Sequence, residues 1–324
     1  MPSIHDRIAT FNYLGPTVMS SLFRNGRVLV HRDPGGSDSR SEGLDLEATE
    51  VTVADARALV ERPSLERNGF ELVDAPLSDP GFDFFDTARV VGRYYPEVAE
   101  VVAGALGARY AVAFDHNLRW AEGKKAKQRL EGGQDVQAPV QLVHGDYTLT
   151  SAPERLRQLA RPPRGNDTLK DFLPLGESVL NPDHVEQAIR GERRFAIVNL
   201  WRNIHPEPVQ KHPIAVCDAR TIDPEDLVVF EIHYQDRIGE NYFAKHADAH
   251  RWRYYPAMTR DEPMLIQQWD SAGALASSDG RTGDGATFDC RSTFSLHSAF
   301  EDAQSPPDAP ERCSVEVRCV VMFD

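Results

Sequence analysis

The sequence predicts an α+β chain built on a jelly-roll core. Many short apolar runs alternate with polar residues at a period of two, a few helical stretches lie early and between them, and no segment repeats another. The clearest strand closes the chain: Arg312, Ser314, Glu316 and Arg318 alternate with Cys313, Val315, Val317, Cys319 and Val321, so one face is polar and the other apolar. Further strands are expected at residues 109–114, 140–147, 195–201, 227–234, 251–255, 264–269, 293–297 and 314–323. Residues 97–106 have helical spacing and stop at Gly107. Ser151-Ala152-Pro153-Glu154 reads as a capping box that starts a helix to about residue 160, and Asn181-Pro182 starts another that stops at Gly191.

A chain of 324 residues can bury one full core and still carry elaborations. The expected division is a jelly-roll domain over residues 86–324 and an N-terminal extension, residues 1–85, packed on that core and able to act as a lid. Residues 33–42, Asp-Pro-Gly-Gly-Ser-Asp-Ser-Arg-Ser-Glu, read as a loop. Lys plus Arg is 36 against Asp plus Glu 50, a net charge of −14 that repels phosphate backbones and argues against a nucleic-acid partner. No apolar run is long enough to span a bilayer and the first residues lack a signal-peptide core, so no membrane is expected and the default location is cytoplasmic. The cysteines 217, 290, 313 and 319 form no Cys-x-x-Cys pair and read as reduced packing residues.

The chemistry begins at His144-Gly145-Asp146. Residues two apart on an extended chain project to one face, so an imidazole and a carboxylate enter the same cavity. A further His from a distant strand completes a two-His, one-carboxylate facial set, which leaves open positions on Fe(II) for a co-substrate and O2. His297 is the candidate for that ligand. Downstream, Arg312 offers a planar grip on a carboxylate and Ser314, two residues along the same face, offers a third hydrogen bond. Alone, that strand would read as a solvent-side charge ladder. A second copy of the spacing, His246-Ala247-Asp248 followed by His250, competes with the first. The apolar run 138–143 before His144 favours the first pair, while Lys245, Arg251 and Arg253 place the second on a solvated rim.

Further segments are Phe114-Asp-His-Asn-Leu-Arg119, Val143-His-Gly-Asp-Tyr-Thr148, Asn199-Leu-Trp-Arg202, Pro213-Ile-Ala-Val-Cys-Asp218, His250-Arg-Trp-Arg-Tyr-Tyr-Pro256, Asp261-Glu262, Trp269-Asp-Ser271, His297-Ser-Ala-Phe300 and 309–318. Taken in order, they resemble the CmcJ/NvfI/AsaB family of non-haem iron, 2-oxoglutarate-dependent oxygenases. The resemblance spans roughly residues 105–324. It implies a double-stranded β-helix (cupin-like) core with flanking helices, Fe(II) on His144, Asp146 and His297, and 2-oxoglutarate held by Arg312 and Ser314. It passes over His246. The long stretch between Asp146 and His297 implies large insertions between the ligand strands.

What the resemblance implies is hydroxylation or desaturation of a small natural-product molecule with O2, coupled to decarboxylation of the oxoacid. Trp201, Arg202, Tyr254 and Tyr255 are the candidates for a substrate pocket; Arg119 joins them, and His116 accompanies it, on the strength of the resemblance. Two other readings share the fold: an iron oxidase or cyclase whose substrate itself chelates the metal, and a non-catalytic accessory protein to a biosynthetic enzyme. A homodimer is compatible with this sequence.

Overall fold

The computed structural model describes residues 4–32, 38–109, 111–120, 141–165, 167–235, 237–286 and 290–323. Two sheets face one another. The larger runs in the order β1 (Arg7–Leu14), β4 (Leu46–Asp55), β12 (Trp252–Tyr254), β9 (Ile214–Cys217) and β14 (His297–Ala299). It continues through β7 (His144–Gly145), β11 (Ile238–Ala244), β10 (Leu227–His233), β2 (Leu29–Arg32) and β3 (Asp38–Glu42). The smaller has the order β5 (Phe70–Leu72), β13 (Met264–Asp270), β8 (Phe195–Asn203), β15 (Cys313–Met322) and β6 (Ala111–Trp120). Strands far apart in sequence are neighbours in both sheets, as a jelly roll requires.

Strands β8 and β13 are buried at every residue, which is why they read as near-continuous apolar runs. Leu200, Val198 and Ile197 pair with Val317, Cys319 and Val320 of β15. Three helices are long enough to matter here: α1 (Tyr95–Leu106), α2 (Ser151–Leu159) and α3 (Pro182–Ile189). Helix α1 ends where expected, at Gly107 with φ +60, a left-handed conformation that glycine adopts without strain. Asn181 caps α3 by accepting from the Asp183 N–H at 2.8 Å.

The sequence-based picture shifts in several places. The stretch expected as an N-terminal extension supplies β1, β2, β3 and β4 to the larger sheet, with β4 parallel to β12. Part of the expected loop 33–42 is strand β3, paired antiparallel to β2, and residues 33–37 lie outside the described residues. The strand expected to end at residue 114 runs on to Trp120 and carries Asp115, His116 and Arg119 within it. The strand expected over 140–147 shrinks to His144–Gly145, and residues 138–140 lie outside the described set. The strand expected at 293–297 starts at His297. The four cysteines are free thiols, all buried except Cys290, which is half-buried.

Helix α2 starts as expected but is capped differently. The Ser151 hydroxyl accepts from the Thr148 N–H at 2.8 Å, while the Thr148 hydroxyl accepts from the Thr150 and Ser151 N–H groups at 3.2 and 3.0 Å. Thr148 also donates to Glu240 Oε2 at 3.1 Å, tying the turn after β7 to β11. Thr148→Ala therefore removes a helix cap and leaves a buried carboxylate short of a donor, a loss of about 1 to 2 kcal/mol, while Thr148→Ser keeps most of the stability. Urea unfolding of the two variants beside the parent protein measures this difference.

Candidate metal centre

Strand β7 is two residues long, yet it is pinned on both sides. His144 pairs with His297 of β14 and with Phe243 of β11, so the two imidazoles lie side by side with ring centroids 4.3 Å apart. The chain then turns and brings Asp146 beneath them. Asp146 Oδ1 is 3.7 Å from His144 Nε2 and 3.9 Å from His297 Nε2. Ligand atoms of His144, Asp146 and His297 all fall within 4.8 Å of one another, and this is the one such group of three among the described residues.

The donor set fits a divalent first-row metal. His144 Nδ1 lies 2.7 Å from the Leu142 carbonyl, so it carries the proton and leaves the Nε2 lone pair toward Asp146. Burial pushes the His144 pKa down to about 4, helped by His297 and opposed by Asp146 and the Leu142 carbonyl. Burial likewise lowers that of His297, against the pull of Asp146. For Asp146 burial works the other way, but Arg318, the two imidazoles and the Asn199 amide together hold its carboxyl well below the usual carboxylate range. Two neutral imidazoles and one carboxylate are the protonation states that metal ligation needs.

The smaller sheet supplies the other wall. Asn199 of β8 donates to Asp146 Oδ2 at 3.0 Å, and Arg318 of β15 reaches the same oxygen at 3.4 Å through both Nε and Nη2. Arg318 also pairs with Asp115 Oδ2 at 2.9 Å and with Glu316 at 3.4 Å. Gln268 of β13 accepts from the Asp146 N–H at 3.3 Å. None of these contacts follows from a sequence motif with a named role. Asn199 and Gln268 did carry a signal, since each is a polar amide inside a fully buried strand.

Arg312 and Ser314 precede Glu316 and Arg318 on the same face of the strand. Ser314 is buried opposite Arg119 and Asn203. The Arg312 guanidinium lies 5.4 Å above the Trp201 ring and donates through Nη1 to the His212 carbonyl at 2.6 Å, while its buried Nε has no partner among the described residues. His212 has φ +49, a left-handed conformation that is uncommon outside glycine. Burial and the nearby Arg119 guanidinium push the Arg312 pKa down to about 9, with Glu316 opposing them. Burial also lowers that of Arg119.

Other candidates fall elsewhere. Arg202 points to the opposite face of β8 from Asn199 and Trp201: its Nε donates to Tyr94 Oη at 2.7 Å and its Nη1 to the carbonyls of Ala75 and Arg260 at 2.8 and 2.5 Å. It anchors the outer layer rather than a substrate. Tyr254 donates to the His5 carbonyl at 2.5 Å and packs edge-on against Phe300, while Tyr255 shares an apolar cluster with Trp201, Ile214, Val216 and Ile266. His116 also faces outward, its Nδ1 2.8 Å from Tyr95 Oη of α1. The second His-x-Asp forms no metal cluster: His246 and Asp248 are exposed, and His250 is held between Tyr13 and Asp226.

Comparison with known proteins places this geometry. A solved structure of the iron and alpha-ketoglutarate-dependent endoperoxidase NvfI superposes with a TM-score of 0.72 at 24% identity, covering 99% of each chain, and so shares the fold. The chain is 29% identical over 276 residues to the Fe(II)/2-oxoglutarate-dependent dioxygenase nvfI of Aspergillus novofumigatus, across 84% of this chain and 82% of that one. It is 39% identical over 193 residues to an uncharacterised protein from the dcmA 3′ region of Methylophilus leisingeri, across 60% of this chain and 88% of the relative. A family model described as "Oxidoreductase/YMDC permease-like domain" matches residues 12–173 and 177–322. The chain belongs to this family. It is an oxidoreductase on a double-stranded β-helix, and among its described residues no helix is long and apolar enough to cross a membrane.

Two outcomes follow for the metal. His144→Ala or Asp146→Ala should abolish binding of Fe(II) or Mn(II), whereas His246→Ala should leave the stoichiometry at the parent value; metal analysis after desalting distinguishes them. Because burial lowers the pKa of both imidazoles, fewer protons have to leave when metal enters at mildly acidic pH. Mn(II) affinity by titration should thus fall less from about pH 7.5 to 5.5 than the loss of at least about tenfold expected for an unperturbed histidine pair titrating near 6.5.

Proposed function

We propose that this chain is an Fe(II)/2-oxoglutarate-dependent dioxygenase that hydroxylates or desaturates a diffusible small molecule, in the cytoplasm. The observation that carries the reading is the pairing of a three-residue metal set with a buried, half-satisfied guanidinium: Arg312 keeps an unpartnered Nε and lies near a second guanidinium, Arg119. An unpartnered donor on a buried guanidinium calls for an acceptor, which a ligand carboxylate supplies.

His144, Asp146 and His297 would hold the iron on one side and leave its other side open. Iron(II) with 2-oxoglutarate and O2 supplies an oxidant able to remove hydrogen from an aliphatic carbon, the oxoacid leaving as succinate and CO2. Arg312, with its buried Nε, would hold the far carboxylate of the oxoacid, and the Ser314 hydroxyl two residues along the same face would support it. Trp201 fixes the plane of the guanidinium from below, and the His212 carbonyl fixes its far edge. Arg119 sits opposite Ser314 and adds positive potential to the same niche. The buried walls of β8, β13 and β15 exclude water from the reacting groups.

Purified protein loaded anaerobically with Fe(II) should convert 2-oxoglutarate to succinate slowly when O2 is admitted, and anaerobic addition of the oxoacid should give a weak visible charge-transfer band. Arg312→Lys keeps the charge and loses the fork, so the KM for 2-oxoglutarate should rise about tenfold or more, on the scale of one charge-assisted hydrogen bond of roughly 1.5 to 3 kcal/mol. Iron bound through the triad with neither band nor succinate would defeat the oxoacid and leave direct chelation by a substrate or an accessory role.

A further inference from the structure

The two oxygens of Asp146 have different surroundings. Oδ1 faces both imidazole Nε2 atoms, at 3.7 and 3.9 Å. Oδ2 faces the other sheet, where it accepts from Asn199 Nδ2 at 3.0 Å and from Arg318 at 3.4 Å. Asn199 and Arg318 are directly paired on adjacent antiparallel strands, so their donors converge on a single oxygen. Both donors are held in turn. Asn199 lies on a fully buried strand, and among the described residues its Oδ1 has no partner, so there the contact to Asp146 is the one hydrogen bond its side chain makes. Arg318 is gripped from behind by Asp115 at 2.9 Å, and Asp115 accepts from the Thr168 hydroxyl at 2.6 Å.

A carboxylate can bind a metal through one oxygen or through both, and the second mode takes up a coordination position. On a six-coordinate ion, three residues binding through one atom each leave three positions; a chelating Asp146 would leave two. An oxoacid needs two of these and O2 needs one. We infer that Asn199 and Arg318 are positioning residues that restrict Asp146 to ligation through Oδ1 and so keep the third position open. The inference concerns residues outside the ligand set, and its oxoacid part rests on the function proposed above.

An outer contact that merely steadied a ligand would, on removal, weaken metal binding by about 10- to 100-fold. A contact that blocks chelation behaves differently: without it the metal is held at least as well, but the co-substrate loses a site. The test uses Mn(II) in the full-length protein, with coordinated water counted by pulsed electron paramagnetic resonance in 17O-labelled water. The parent protein should show three waters. In Asn199→Ala the count should fall to two, the Mn(II) dissociation constant should stay within about threefold, and that for 2-oxoglutarate, measured on the Mn(II) protein, should rise by about tenfold or more. Arg318→Lys, which keeps the cation but not the fork, should move the same quantities in the same direction. Two waters in the parent protein would overturn the inference without any variant being made. Three waters in Asn199→Ala, or loss of Mn(II) together with the oxoacid, would also overturn it. The water count in the parent needs no oxoacid, so it stands whether or not succinate is ever formed.

Discussion

A single carboxylate joins the two sheets at the site. Asp146 leaves the larger sheet just past β7 and is met by Asn199 and Arg318 from the smaller one, so the gap between the sheets is bridged by charge rather than by apolar packing. Burying an ionised carboxylate costs several kcal/mol unless cations and donors surround it. Here they come from the facing sheet, the Arg318 guanidinium and the Asn199 amide, while the neutral imidazole edges of His144 and His297 lie on the other side of the carboxylate. The short length of β7 is the local consequence. A longer regular strand would hold residue 146 in the plane of the sheet, whereas the turn after Gly145 lets the carboxylate drop toward the facing wall.

The parts of this arrangement that were legible in the sequence are those governed by local parity. The alternation of residues 312–318 put Arg312, Ser314, Glu316 and Arg318 on one face, whereas His144 and Asp146 meet as their spacing suggested but through the turn after Gly145 rather than through strand parity. Parity also contained a warning. Trp201 and Arg202, like Tyr254 and Tyr255, are consecutive, and consecutive residues of a strand point to opposite faces. A pocket can take one of each pair, and Arg202 went outward to Tyr94 and two carbonyls while Trp201 went inward under Arg312.

What the sequence hid was long-range pairing. Strand β4 is largely exposed along its first residues and pairs in parallel with β12, some two hundred residues away, so neither a buried apolar run nor a nearby turn signal announces it. Asn199 is similar. Its amide is conspicuous in an apolar run, but nothing local says that its target is the carboxylate of residue 146 rather than a backbone group. The choice between the two His-x-Asp copies was likewise tertiary: His246 and Asp248 share the spacing of the first pair but end on the surface, and their neighbour His250 is already committed to Asp226 and Tyr13.

The charges around the site give the proposed chemistry its internal logic. Three guanidiniums, Arg119, Arg312 and Arg318, stand among three carboxylates, Asp115, Asp146 and Glu316, so the protein's own charges balance. A dication added alone upsets that balance in a poorly solvated place, and a dianion added alone upsets it the other way. An oxoacid with two carboxylates restores neutrality when it enters with the metal. The unequal distribution of the arginines fits the same account. Arg318 is saturated by acids and serves the ligand carboxylate, whereas Arg312 keeps a free Nε and lacks a carboxylate partner of its own. Metal and co-substrate are thereby coupled through the field of the site before any direct bond between them is considered, because each removes the electrostatic penalty that the other would meet alone.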